Sequence, residues 1–132
     1  MFKISPVQDI NTAEIYAKAC GIQLKDGCFL YAMTDIESSE IMGVCQFEIY
    51  GDHGYIYDLR PRIMLDDFEA MFILGRQTMN FINLCGANEC RATCDAADEK
   101  LISAIGFKKL NDYYTCNMSG MFDGSHCSGH KK

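Results

Sequence analysis

Residues 54–85 constrain the fold more than any other stretch of the chain. Tyr55-Ile56-Tyr57-Asp58-Leu59-Arg60 is apolar and β-rich, and Pro61 follows, which cannot donate within a ladder. Asp66-Asp67 then opens a helical pattern that runs to about Cys85, where Gly86 can stop it. Within that pattern Phe68, Met71, Phe72, Gly75, Met79 and Ile82 recur at i, i+3, i+4 and predict one core-facing stripe. Glu89 to Cys94 reads as a further strand, with Cys90, Ala92 and Cys94 on one face. A strand, helix, strand unit of this length implies a parallel pair joined by a right-handed crossover. The corner between the strand and the long helix points free backbone N–H groups outward, a geometry that suits a phosphate.

The flanking segments extend this unit into one sheet. Phe2-Lys3-Ile4 is a short strand. Ile10, Ala13, Ile15, Ala17 and Cys20 form a helical apolar pattern, capped by Asp9 or Asn11 and ended by Gly21. Cys28–Met33 is apolar on both faces and reads as a central strand. Ile41–Tyr50 follows, with Cys45, Phe47 and Ile49 on one face and Gln46 and Glu48 on the other. Gly51-Asp52-His53-Gly54 is a hairpin turn. After the long helix and its strand, Asp95 is expected to cap a helix over Ala96–Ile105, ended by Gly106. Phe107–Leu110 and Tyr113–Met118 close the pattern as two strands around Asn111-Asp112. The order is β-α-βββ-α-β-α-ββ, an α/β (α+β) sheet of mixed direction. The domain is expected over 1–118, with 119–132 a Gly-, Ser- and Lys-bearing tail.

A chain of 132 residues, 48% of them hydrophobic, can bury a sizeable single core. It carries eight cysteines, five of them (Cys28, Cys45, Cys90, Cys94 and Cys116) in strand-like runs where a thiol packs as a small hydrophobe. That usage points to a reducing, cytoplasmic setting. No run is long and apolar enough to predict a membrane helix, and the start has no signal-peptide core. The net charge of −6 disfavours nucleic acid and anionic membrane as partners.

The element order, the meander ending in Leu59-Arg60-Pro61, and the helix-closing run Leu101-Ile102-Ser103-Ala104-Ile105-Gly106-Phe107 resemble the GNAT N-acetyltransferase superfamily over residues 2–118. The resemblance implies a GNAT-like mixed central sheet and acyl transfer from acetyl-CoA or another acyl-CoA to the primary amine of a small molecule. It also implies a pantetheine arm held on the strand edge, and a pyrophosphate held at the corner after it. Carried onto this chain, the acyl-CoA positions are Leu59, Arg60, Arg62, Ile63 and Asp67. The family's glycine-rich loop falls on Arg62-Ile63-Met64-Leu65-Asp66-Asp67, with Leu65 and Asp67 where glycines are usual. Side chains there crowd a backbone approach, and the Asp66-Asp67 carboxylates already answer the helix dipole. Where the family has a tyrosine acid this chain has Ile102, and where it has a helix-opening asparagine it has Asp95.

For the chemistry itself, Asp58 on the central strand is the candidate base, with Glu48 the other carboxylate in reach. Tyr114, or its neighbour Tyr113, is the candidate acid in place of the missing tyrosine. The alternative is a GNAT-shaped binding or regulatory module without catalysis, since fold alone does not imply activity. A third possibility is a metal bound by His126, Cys127 and His130 with Cys116, although the spacing matches no closed zinc module.

Overall fold

In the computed structural model, which describes residues 1–122, seven strands form one sheet and three helices pack on its two faces. The elements are β1 (Phe2–Pro6), α1 (Ile10–Cys20), β2 (Phe29–Asp35), β3 (Ile41–Tyr50), β4 (His53–Pro61), α2 (Phe68–Leu84), β5 (Glu89–Thr93), α3 (Glu99–Ala104), β6 (Lys108–Leu110) and β7 (Tyr113–Asn117). The sheet order is β1-β2-β3-β4-β5-β7-β6. Only β4 and β5 are parallel, which is the crossover that residues 54–94 require.

The larger core lies between the sheet and α2 with α3, where Phe47, Ile56, Leu59, Leu74, Met79, Ile82 and Ile105 are all but fully buried. A smaller core on the other face joins Ala13 and Cys20 of α1 to Leu30, Ala32, Ile41 and Val44. α1 is capped as its sequence implies. Asp9 accepts from the Thr12 amide at 3.0 Å, and Gly21 stops the helix at φ 71°, a left-handed conformation that favours glycine.

Several expectations shift in register or role. The buried stripe of α2 is Ala70, Met71, Leu74, Gly75, Thr78, Met79 and Ile82, so Phe68, 40% exposed, and Phe72 sit at its edge. In α1 only Ala13, Ala17 and Cys20 are buried, and Ile10 and Ile15 are exposed. Cys28 and Cys94 lie just outside β2 and β5 rather than within them. The helix expected from Ala96 begins at Glu99. Asp98, not Asp95, is at its N-cap position, and its side chain makes no cap bond. Residues 94–97 are drawn instead onto the edge of β4, where the Leu59 amide donates to the Ala96 carbonyl at 2.8 Å.

Candidate active site

The site is organised by an irregularity in β4. Gln46 pairs with Asp58, but its neighbour Phe47 pairs with Ile56, so Tyr57 is an extra residue in the β3–β4 register. A bulge of this kind bends the strand and re-aims the side chains after it. Asp58 is turned to the face of Gln46, while Ile56 and Leu59 stay in the α2-side core. The bend also parts β4 from its parallel partner. Regular pairing with β5 runs from His53↔Glu89 to Ile56↔Ala92, and beyond it β4 runs on to Pro61 paired with β3 only.

On the far side of that divergence is a cleft of roughly 400 Å³. Leu59, Arg60 and Pro61 form one wall, Asp66, Asp67 and Phe68 another, and Asp98 with Leu101 closes it from α3. Three carboxylates and one guanidinium line it, so its local charge is negative. Asp67 is the N-cap of α2, and its Oδ1 accepts from the Ala70 amide at 3.1 Å. Three amides of the preceding corner are spent within the chain. Arg62 N–H donates to Met42 O at 2.9 Å, Ile63 N–H to Ala19 O at 2.9 Å, and Leu65 N–H to Arg62 O at 2.9 Å. Met64, 97% exposed, takes φ 76°, a strained backbone for a side chain of its size.

Of the positions inferred for acyl-CoA, Leu59, Arg60 and Asp67 line this cleft. Arg62 and Ile63 are not among its lining residues. Arg62 reaches Glu40 at 3.3 Å, and Ile63 packs beside Gly21 at the end of α1. The edge of β4 in the cleft is itself occupied. Thr93 Oγ1 donates to Tyr57 O at 3.3 Å, the Leu59 amide donates to Ala96 O, and the Arg60 guanidinium donates to Asp95 O.

The opposite face of the bulge carries a polar cluster. Gln46, 1% exposed, donates from Nε2 to Asp58 Oδ2 at 2.8 Å and to Gln23 O at 3.0 Å, and its Oε1 accepts from the Lys25 amide at 2.8 Å. The Tyr50 and Tyr57 hydroxyls both donate to Glu48 Oε1 and lie 2.6 Å from each other. Desolvation first, then the bonds to Tyr50 and Glu48, hold the Tyr57 hydroxyl far above the usual phenol range. Burial, reinforced by Glu48, pushes the Cys28 thiol beside this cluster up to about 11. Tyr114 is elsewhere. It is 5% exposed and belongs to the α2-side core, in the row of Ile56 and Ala92, on the face opposite Asp58. Tyr113 is half-buried with the Arg91 guanidinium 5.7 Å from its ring.

Gln46, Tyr57, Thr93 and Ala96 take part in this geometry without having been singled out from sequence. An alternating strand marks Gln46 only as polar-face, and nothing local shows that 23–25 covers it. Among the described residues no group of three or more His, Cys, Asp or Glu is placed to hold a metal ion, and His126, Cys127 and His130 lie outside the described residues. No described helix is long and apolar enough to cross a membrane.

No protein-family model matches the sequence, and no curated protein matches it. Solved structures do. The PaiA N-acetyltransferase of Thermoplasma acidophilum, in complex with coenzyme A, superposes with a TM-score of 0.70 at 11% identity, over 89% of this chain and 99% of that one. A putative GNAT acetyltransferase of Desulfovibrio desulfuricans gives 0.73 at 9% identity over the same shares. A GNAT acetyltransferase of Brucella melitensis, in complex with acetyl-CoA, gives 0.66 at 12% identity over 89% and 88%. The chain has the GNAT fold.

Proposed function

We propose that this protein is an acyl-CoA-dependent N-acyltransferase of GNAT type, moving an acetyl or similar acyl group to a primary amine. The observation that carries this reading is the β4 bulge, which sets the Asp58 carboxylate on one face of the strand and opens the 59–61 cleft beyond it. The acyl-CoA would enter along the cleft and the amine from the Gln46–Asp58 face. In the transfer the amine nitrogen attacks the thioester carbonyl, a C–N bond forms, and the C–S bond breaks. Asp58 accepts the ammonium proton, directly or through water, and the CoA thiolate departs. Asp58 is fixed for that task through Oδ2 by Gln46, and Oδ1 has no partner among the described residues.

A second reading is favoured by one specific observation. The Leu59 amide, on the strand edge that would hold a pantetheine arm, is already bonded to Ala96 O. On that reading the chain is a GNAT-shaped binding or regulatory module without acyl transfer. Thermal unfolding with millimolar acetyl-CoA separates the two. Ligand bound to the native state raises Tm, and thiol release in the presence of a panel of primary amines then reports turnover. An unmoved Tm would leave the second reading standing.

A further inference from the structure

We propose that residues 93–97 are an autoinhibitory latch over the acyl-CoA cleft, an inference that rests on the acyltransferase reading above. Beyond Ile56 the edge of β4 has lost β5 as a partner, and a strand edge with free polar groups in a half-buried site must find others. Residues 93–97 supply them. Thr93 Oγ1 donates to Tyr57 O at 3.3 Å, Ala96 O accepts from the Leu59 amide at 2.8 Å, and Asp95 O accepts from the Arg60 guanidinium. Two of the contacts cover backbone groups of the β4 edge, at 57 and 59, and the third holds the Arg60 side chain.

The segment is tied down at both ends. Ala96 and Ala97 are buried, with Ala96 fully so, whereas Cys94 and Asp95 between the anchors are exposed. It is also not helical, although Asp95 to Ile105 carries a helical pattern, and α3 starts only at Glu99. Residues 94–97 instead form a turn and bend, closed by the Ala96 amide on Thr93 O at 3.1 Å and tied to β4 through Asp95 O and Ala96 O. Ala96 O presents to Leu59 the same acceptor, an amide carbonyl, that a pantetheine arm carries. The two therefore compete for one donor. Acyl-CoA binding requires the latch to leave, and the apparent affinity is the intrinsic one reduced by the fraction of unlatched molecules. If 95–98 joins α3 when released, the helix gains a turn and recovers the broken bonds.

Thr93 is the anchor that can be changed without touching the cleft lining. Thr93→Val keeps the side chain's shape and removes its bond to Tyr57 O. Loss of one such bond should raise the unlatched fraction, and with it the apparent affinity for acetyl-CoA, by about fivefold. Thr93→Ser keeps the hydroxyl and should bind as the parent does. Calorimetric titration with acetyl-CoA, together with amide hydrogen exchange at Leu59, tests this. Tighter binding and faster Leu59 exchange in Thr93→Val support the latch. Equal or weaker binding in Thr93→Val, with the parent also binding, overturns the latch and leaves the acyltransferase reading intact. No binding to parent or variant at millimolar acetyl-CoA overturns that reading and the latch with it. Unchanged Leu59 exchange overturns the latch whatever the ligand does.

Discussion

Gln46 and Asp58 face each other across β3 and β4, and the buried amide of Gln46 donates to Asp58 Oδ2 at 2.8 Å. The same amide group ties down Gln23 O and the Lys25 amide, so one side chain joins the sheet, the candidate base and the segment that follows α1. Its replacement by an apolar residue of similar size, Gln46→Met, strands a backbone donor and a backbone acceptor at part-buried bonds. The expected loss is about 2–4 kcal/mol, since each unmet buried group costs roughly 1–3. Urea unfolding of the parent and variant measures it. A loss below about 0.5 kcal/mol would mean that 23–25 rehydrates freely and that Gln46 does not anchor it.

Stability should fall steeply in alkali, and the sign follows from the buried thiols. Burial pushes Cys45 up to about 12 and raises Cys90 well above the usual thiol range, and both are fully buried. Above the unfolded thiol pKa of about 8.5 the unfolded chain sheds protons that the folded chain keeps. Each such thiol then removes about 1.4 kcal/mol of stability per pH unit, until its own folded pKa is reached. Urea midpoints at pH 8 and pH 10 check the slope, and Cys45→Ala should lessen it. In native protein at pH 8 a thiol reagent should label the exposed Cys85 and Cys94 well before Cys45 or Cys90.

Much of the fold is legible in the sequence because its signals are local. Asp9 and Gly21 bound α1, Asp67 starts α2, and the strand, helix, strand length forces β4 and β5 to be parallel. What is not legible is decided by contacts distant in the chain. The stripe of α2 is rotated so that Leu74 and Thr78 go inward and Phe68 to the rim, and Gly75 packs against Leu59 and Ile105. Asp95 has the composition of a helix cap, but a bond between Ala96 and Leu59, 37 positions earlier, overrides local propensity. The candidate site divides in the same way. Leu59, Arg60 and Asp67 reach the cleft because strand and helix ends are local matters. Tyr114 is on the face opposite Asp58 because a one-residue bulge in β4 reverses which side chains share a face, and no period-2 pattern reports a bulge.

At Gly43 the sheet lies tight against α2. A Cβ built there would lie 2.8 Å from Met71 Sδ and 2.9 Å from Arg60 O. The thioether can turn aside, but the Arg60 carbonyl is backbone in the partner strand and cannot. Gly43→Ala should therefore destabilise by about 1–3 kcal/mol, the range for overpacking a tight core. In a double-mutant cycle with Met71→Ala, once that variant's own cavity cost is subtracted, the Gly43→Ala loss should shrink only in part, since the backbone clash remains. A Gly43→Ala loss that vanishes in the Met71→Ala background, measured by thermal or urea unfolding, would assign the strain to the side chain alone.

The carboxylates at the start of α2 decide how well the cleft accepts an anion. Asp67 does two things there: its Oδ1 caps the helix on the Ala70 amide, and its charge adds to those of Asp66 and Asp98 in the cleft wall. Asn caps a helix about as well as Asp does, so Asp67→Asn separates the roles. Its stability should stay within about 1 kcal/mol of the parent, whereas Asp67→Ala loses the cap and about 1 kcal/mol or more. The affinity for acetyl-CoA should rise about two- to fivefold in Asp67→Asn, the worth of one charge at a helix N-terminus, and further in the Asp66→Asn, Asp67→Asn pair. That gain is electrostatic, so it should shrink toward nothing at molar salt, where screening acts over about 3 Å. A gain that persists at molar salt would point to steric relief instead. A loss of affinity in Asp67→Asn would mean that the carboxylate itself contacts the ligand, and that the cleft takes something other than a diphosphate.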